Sequence, residues 1–113
     1  MKKAMMLVKE VYTVTKEYPK EELFALTSQT KRAVVSVPAN IAEGVGRNYK
    51  KDTIQFLHIA RGSLYEVETL LSIALMLEYL VQEKFDQLTA LIDGEIRILN
   101  GLIKSHEVRQ DLK

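Results

Sequence analysis

The chain has no cysteine in its 113 residues, which excludes disulfides, thiolate metal sites and a cysteine nucleophile. It has two histidines, His58 and His106. A di-metal carboxylate centre in a helical bundle needs Glu-x-x-His on two helices, and the residues three before these histidines are Gln55 and Ile103. A hydrolytic triad lacks its Gly-x-Ser-x-Gly elbow. Both histidines are therefore expected on the surface, and no metal, cofactor or enzymatic activity is expected. No apolar run approaches the roughly eighteen residues of a membrane span. The apolar opening is cut by Lys9 and Glu10, too early for a secretory leader, so a cytoplasmic protein with no membrane partner is expected. Gly44-Val45-Gly46 ahead of Lys50 and Lys51 is not a phosphate-binding loop, because a helix precedes it and Asp52 follows Lys51.

What is present is helical periodicity. A hydrophobic fraction of 47% suits one globular domain over residues 1–113. The first helix is expected from about Lys3 to Tyr18, with Leu7, Val8, Val11, Thr15 and Tyr18 at helical spacing, closed by Pro19. A short turn over Lys20–Ala25 leads to a second helix from about Leu26 to Gly46. Its apolar stripe continues across Pro38, through Leu26, Ala33, Val34, Val37, Ile41 and Val45, predicting one helix kinked at the proline. Gly44 and Gly46 are expected to end it by supplying positive φ. The third helix is expected from about Lys51 to Tyr79, on two seams led by Leu57, Leu64 and Leu71 and by Phe56, Ile59 and Leu77. The fourth is expected from Gln82 to Ser105, with Phe85, Leu88, Ile92, Ile96, Leu99 and Ile103 as its face and a frayed tail from His106. Short connections favour an all-α, up-down-up-down antiparallel four-helix bundle.

Polar side chains are less evenly placed. Gln29, Arg32, Ser36, Asn40, Glu43 and Arg47 share an arc of roughly 80° on the second helix. These types alternate donors and acceptors, which favours a structural network completed by Ser63 and Glu66, with Glu43 paired to Arg32 or Arg47. A binding groove is the other reading. Charge is also polarised: residues 1–56 carry ten Lys/Arg against six Asp/Glu, and residues 57–113 carry six against nine. The turn Arg47-Asn48-Tyr49-Lys50-Lys51 sets three cations around one aromatic, a composition that suits phosphate contact with base stacking. With Lys31 and Arg32 these form the expected nucleic-acid-binding set. Ile54, Tyr65 and Met76 on the third helix, and Val35, Ala39 and Ala42 on the second, lie off the core seams and point to a homo-oligomer.

Blocks along the chain carry a family resemblance: Tyr18-Pro-Lys-Glu-Glu22, Leu26-Thr-Ser-Gln29, Ser36-Val-Pro-Ala-Asn-Ile-Ala-Glu-Gly44 with Gly46-Arg47, Gly62-Ser-Leu64 and Asn100-Gly-Leu-Ile-Lys-Ser105. The chain resembles the 23S ribosomal RNA intervening-sequence proteins, a family that includes the accessory variability determinant of diversity-generating retroelements. The resemblance implies a four-helix bundle assembled as a ring, a pentamer in known members. It also implies no enzymatic activity and an association with RNA-centred elements, directly or through a reverse transcriptase. Tyr49 departs from the family pattern, which has a capping serine there, so Asn48 or Asp52 is expected to cap the third helix.

Overall fold

The computed structural model describes residues 1–111, with side chains through residue 108. Among the described residues there are four helices and one short 3₁₀ turn: α1 over Lys2–Thr15, the 3₁₀ turn over Lys20–Glu22, α2 over Leu26–Val45, α3 over Lys50–Met76 and α4 over Gln82–Asp111. No strand occurs among the described residues. α1 packs on α2 and α4, and α3 packs on α2 and α4, so the chain closes a helical bundle around one core. Leu7, Val11, Val34, Val37, Leu57, Leu64, Val67, Leu71, Ile92 and Leu99 are its sealed centre. Each such side chain contributes about 1.5–3 kcal/mol by leaving water, and the periodic stripes of all four helices meet there.

The helix ends depart from the sequence expectation in instructive ways. α1 ends at Thr15, before Tyr18: Lys16, Glu17 and Tyr18 donate to the carbonyls of Thr13, Val14 and Thr15, tightening the last turn to i→i+3 bonds. α2 stays continuously helical through Pro38. None of the glycines has positive φ, and Gly46 closes α2 at φ −81°. Gly44 serves close approach instead, because a Cβ there would lie 3.0 Å from Phe56 Cβ and 3.3 Å from the Thr53 carbonyl oxygen. α3 ends at Met76, before Tyr79, with Glu78 at φ 65°. Tyr79 N–H donates to the Ala74 carbonyl at 2.8 Å and Glu78 N–H to the Leu75 carbonyl at 3.0 Å, a Schellman closure made without glycine. α4 extends as helix past His106 to Asp111, with His106 Nδ1 2.8 Å from the Leu102 carbonyl oxygen.

Glu22 ties one end of the bundle together. Its carboxylate accepts from the Leu26 N–H at 3.3 Å and from the Tyr79 hydroxyl at 3.0 Å. That bond, then desolvation and the charges of Glu22 and Glu21, raises the Tyr79 pKa. Tyr18 packs against Tyr79 with ring centroids 5.8 Å apart. The Tyr18 hydroxyl is buried without a hydrogen-bond partner, and burial pushes its pKa up to about 12. Glu95 is the other orphan: it is 1% exposed, between Ile92 and Leu99 on the core stripe of α4, with Oε2 unbonded.

The close approach predicts a contrast between neighbouring glycines. Gly44→Ala should destabilise by about 1–3 kcal/mol through overpacking, against a helix-propensity gain of at most about 1 kcal/mol. Gly46→Ala, whose added Cβ meets nothing nearer than 3.7 Å, should stay within about 0.5 kcal/mol of wild type. Denaturant melts of the two variants decide it, and equal melts would refute the close-approach reading.

The orphan atoms predict gains on removal. Glu95→Leu should stabilise by about 1–3 kcal/mol, because it deletes a buried unsatisfied group at similar volume. Tyr18→Phe should be neutral or stabilising at neutral pH. The folded state of the wild type holds the Tyr18 proton more tightly than the unfolded state, so that contribution is complete below pH 10 and is lost as pH rises through about 12. Tyr18→Phe should therefore blunt alkaline unfolding in that window, and an unchanged alkaline melt would contradict it.

Candidate nucleic-acid interface

α2 presents the polar seam as far as Glu43 and two of the five expected cations, Lys31 and Arg32, and the other three follow its C-terminus. Among the described residues the seam hydrogen-bonds to a neighbouring helix at one place. Ser36 donates its hydroxyl to the Ala33 carbonyl at 2.8 Å, and its Oγ shares a second hydrogen bond with Ser63 Oγ on α3. Asn40 Nδ2 donates to the Ser36 carbonyl at 2.7 Å and stays on its own helix. Glu43 pairs with Arg47 at 2.8 Å, an exposed i,i+4 ion pair worth about 0–1 kcal/mol. Gln29, Arg32 and Glu66 are exposed and take no part in a shared network. The architectural part of the seam is thus Ser36–Ser63 with Asn40 beside it, and the upstream part is open.

That open part is a groove of about 470 Å³ lined by Phe24, Ser28, Gln29, Arg32, Ser36 and Glu66. Phe24 also borders a hollow of about 660 Å³ whose walls include Tyr12, Leu23, Lys31, Arg32 and Val35. Lys31 Nζ stands 4.9 Å over the Tyr12 ring, a cation–π contact that holds it on this surface. Arg32 reaches Ser28 Oγ only at 3.5 Å, the limit of a hydrogen bond.

The remaining expected binders gather elsewhere. Arg32 and Arg47 are fifteen residues apart on one helix and its cap, about 22 Å at about 1.5 Å per residue. The set is therefore two clusters, one at each end of α2. At the second, the Arg47 guanidinium lies 4.7 Å over the Phe56 ring while paired to Glu43. Lys51 and Tyr49 are exposed, Tyr49 at 72%, and Lys50 is half-buried. A pocket of about 300 Å³ brings Arg47, Asn48, Lys50 and Thr53 together with His106 of α4, which the linear spacing does not reveal. Tyr49 occupies the N-cap of α3 in extended geometry with no side-chain cap bond, so neither Asn48 nor Asp52 caps that helix. The Tyr49 carbonyl accepts from Asp52 and Thr53 N–H instead, and Thr53 Oγ1 donates to the Gly44 carbonyl at 2.9 Å. Asp52, in the first turn, still favours the helix dipole.

Of the residues expected off the core, Val35, Ala39, Ala42, Tyr65 and Met76 are exposed, Met76 at 72%. Ile54 differs: it is half-buried and packs on the bundle's own core. Among the described residues no group of acidic, histidine or cysteine side chains is placed to hold a metal ion, and no helix is long and apolar enough to cross a membrane. The residue that sequence periodicity passes over is Phe24, 92% exposed on the connection into α2. Its only sequence signal is a large apolar side chain in a turn with no helical stripe to join.

Comparison with known proteins agrees with this architecture. A crystal structure from Bacteroides thetaiotaomicron VPI-5482, of a protein with unknown function from the S23 ribosomal protein family, superposes with a TM-score of 0.84. It is 23% identical, and the alignment covers 91% of this chain and 96% of that one, so the likeness speaks for the fold. No curated protein matches significantly. The family model described as 23S rRNA-intervening sequence protein matches residues 1–101. Nearly the whole chain is spanned by that match, and the protein belongs to the 23S rRNA-intervening sequence protein family.

Proposed function

We propose that the protein is a non-enzymatic, oligomeric adaptor of the cytoplasm that associates with nucleic acid through the cations of α2 and the α2–α3 turn. The observation that carries the reading is the exposure of Arg32, with Lys31 beside it, and of Arg47 and Lys51 in the second cluster, on a basic half of an otherwise near-neutral chain. RNA, or a reverse transcriptase bound to RNA, is the partner that the family resemblance suggests. Two short clusters per subunit bind weakly alone, and repetition around a ring supplies the avidity that one subunit lacks. The unburied apolar side chains Val35, Tyr65 and Met76 support assembly with copies of the same chain, five in the relatives it resembles.

A second reading has one observation in its favour. Arg47 already satisfies Glu43 and Phe56 within the subunit, as in a structural ring that binds proteins and no nucleic acid of its own.

Fluorescence anisotropy with single-stranded and structured RNA, at low and moderate salt, separates the two. The nucleic-acid reading expects binding that falls steeply as salt rises, by tenfold or more between about 50 and 200 mM if several phosphates are contacted. Arg32→Glu combined with Lys51→Glu should remove most of that affinity, with the particle mass in light scattering unchanged. Absence of binding at low salt would leave the protein-interaction ring, and a monomer at micromolar concentration would remove the ring as well.

A further inference from the structure

An aromatic ring that is 92% exposed costs solubility and gives nothing to its own fold, and Phe24 is such a ring. It forms a wall common to two hollows of about 470 and 660 Å³. Arg32 also borders both, and Lys31 borders the second. The first hollow adds Gln29, which donates and accepts, and Glu66, which only accepts when ionised. A free π face, two cations at the rim and a hydrogen-bonding floor form a set that matches one nucleotide: base on the ring, phosphate at the cations, base edge toward the polar floor.

We infer that the groove beside Phe24 is a stacking subsite for an unpaired base of single-stranded nucleic acid, with Arg32 and Lys31 on the flanking phosphates and Glu66 accepting from an exocyclic amine. The inference rests on the nucleic-acid reading above and narrows it to unpaired strands at the first cluster of α2. An acidic peptide fits the cations and the ring, but its carboxylates would meet Glu66. The amino groups of cytosine, adenine and guanine make Glu66 an asset, whereas uracil offers it only an N3–H set between two carbonyl oxygens that repel the carboxylate. The subsite therefore favours amine-bearing bases over uracil.

The test uses the full chain and labelled strands of about twelve nucleotides at neutral pH: oligo(C), oligo(U) and an abasic phosphodiester of equal length. Wild type should bind oligo(C) more tightly than oligo(U), and both more tightly than the abasic strand. Phe24→Ala, at a site outside the core, should weaken oligo(C) by roughly 5- to 100-fold, leaving abasic binding and its salt dependence unchanged. Arg32→Glu should weaken all three strands, and Glu66→Ala should narrow the gap between oligo(C) and oligo(U). Equal binding of oligo(C) and the abasic strand would overturn the subsite while leaving the electrostatic reading intact. Failure to bind any strand at low salt would overturn both. Unchanged oligo(C) affinity for Phe24→Ala with a smaller particle in light scattering would overturn the subsite and assign Phe24 to an interface between copies.

Discussion

The approach of α2 to α3 at Gly44 is the constraint on which the rest of the bundle depends. With no side chain at Gly44, the backbone of α2 comes within contact of Phe56 and the Thr53 carbonyl, and the Thr53 hydroxyl bonds the Gly44 carbonyl in return. Eight residues upstream on α2, Ser36 meets Ser63. As residue numbers fall from 44 to 36 on α2 they rise from 53 to 63 on α3, so the two contacts fix direction and register together. Once that register is set, Val34, Val37 and Ile41 have no choice but the core, and Arg32, Glu43 and Arg47 face water. The surface proposed to bind is thus a consequence of how the pair locks.

Apolar burial supplies most of the stability, and polar groups mark where the packing is incomplete. The serine contact satisfies two hydroxyls at the edge of the core, while Glu95 and Tyr18 each leave an atom unbonded inside it. An interior closed by long aliphatic side chains on four helices can carry two such penalties of a few kcal/mol in total. The bundle end formed by Glu22, Tyr79 and Tyr18 compensates in part, since one carboxylate there serves both the start of α2 and the turn after α3.

Much of this was legible in the residues. The stripes of α1, of α2 as far as Ile41 and the Leu57–Leu64–Leu71 seam of α3 identified core residues, because a period near 3.6 needs no knowledge of the partner helix, whereas Val45, Ile59 and Leu77 of the expected seams are exposed. The misreadings share a cause: they concern tertiary context. Gly44 reads as a helix terminator until the closeness of α3 is known. The positive φ falls on Glu78, where propensity would place glycine, because the hydrogen bonds of Tyr79 and Glu78 to the end of α3 hold it there. Glu95 keeps the 88–92–95–99 phase of α4, yet its charge directs a hydrophobicity count to Ile96. The polar seam shares one arc in sequence, but among the described residues Ser36, at its middle, is the member that hydrogen-bonds to α3, and the six expected binding residues lie in two clusters because most of a helix's length separates them. Phe24 belongs to no stripe, so periodicity says nothing of it.

These features make α2 the helix of the proposed interface: it is locked to α3 at Ser36 and Gly44, and Lys31 and Arg32 on it join Phe24 of the preceding connection around two adjoining hollows. Photo-crosslinking of the assembled protein to single-stranded RNA bearing a photoreactive base, read by mass spectrometry, tests that assignment most directly. Adducts concentrated between Phe24 and Ser36 are the predicted result. Adducts confined to α1 and α4, with none on α2, would contradict it.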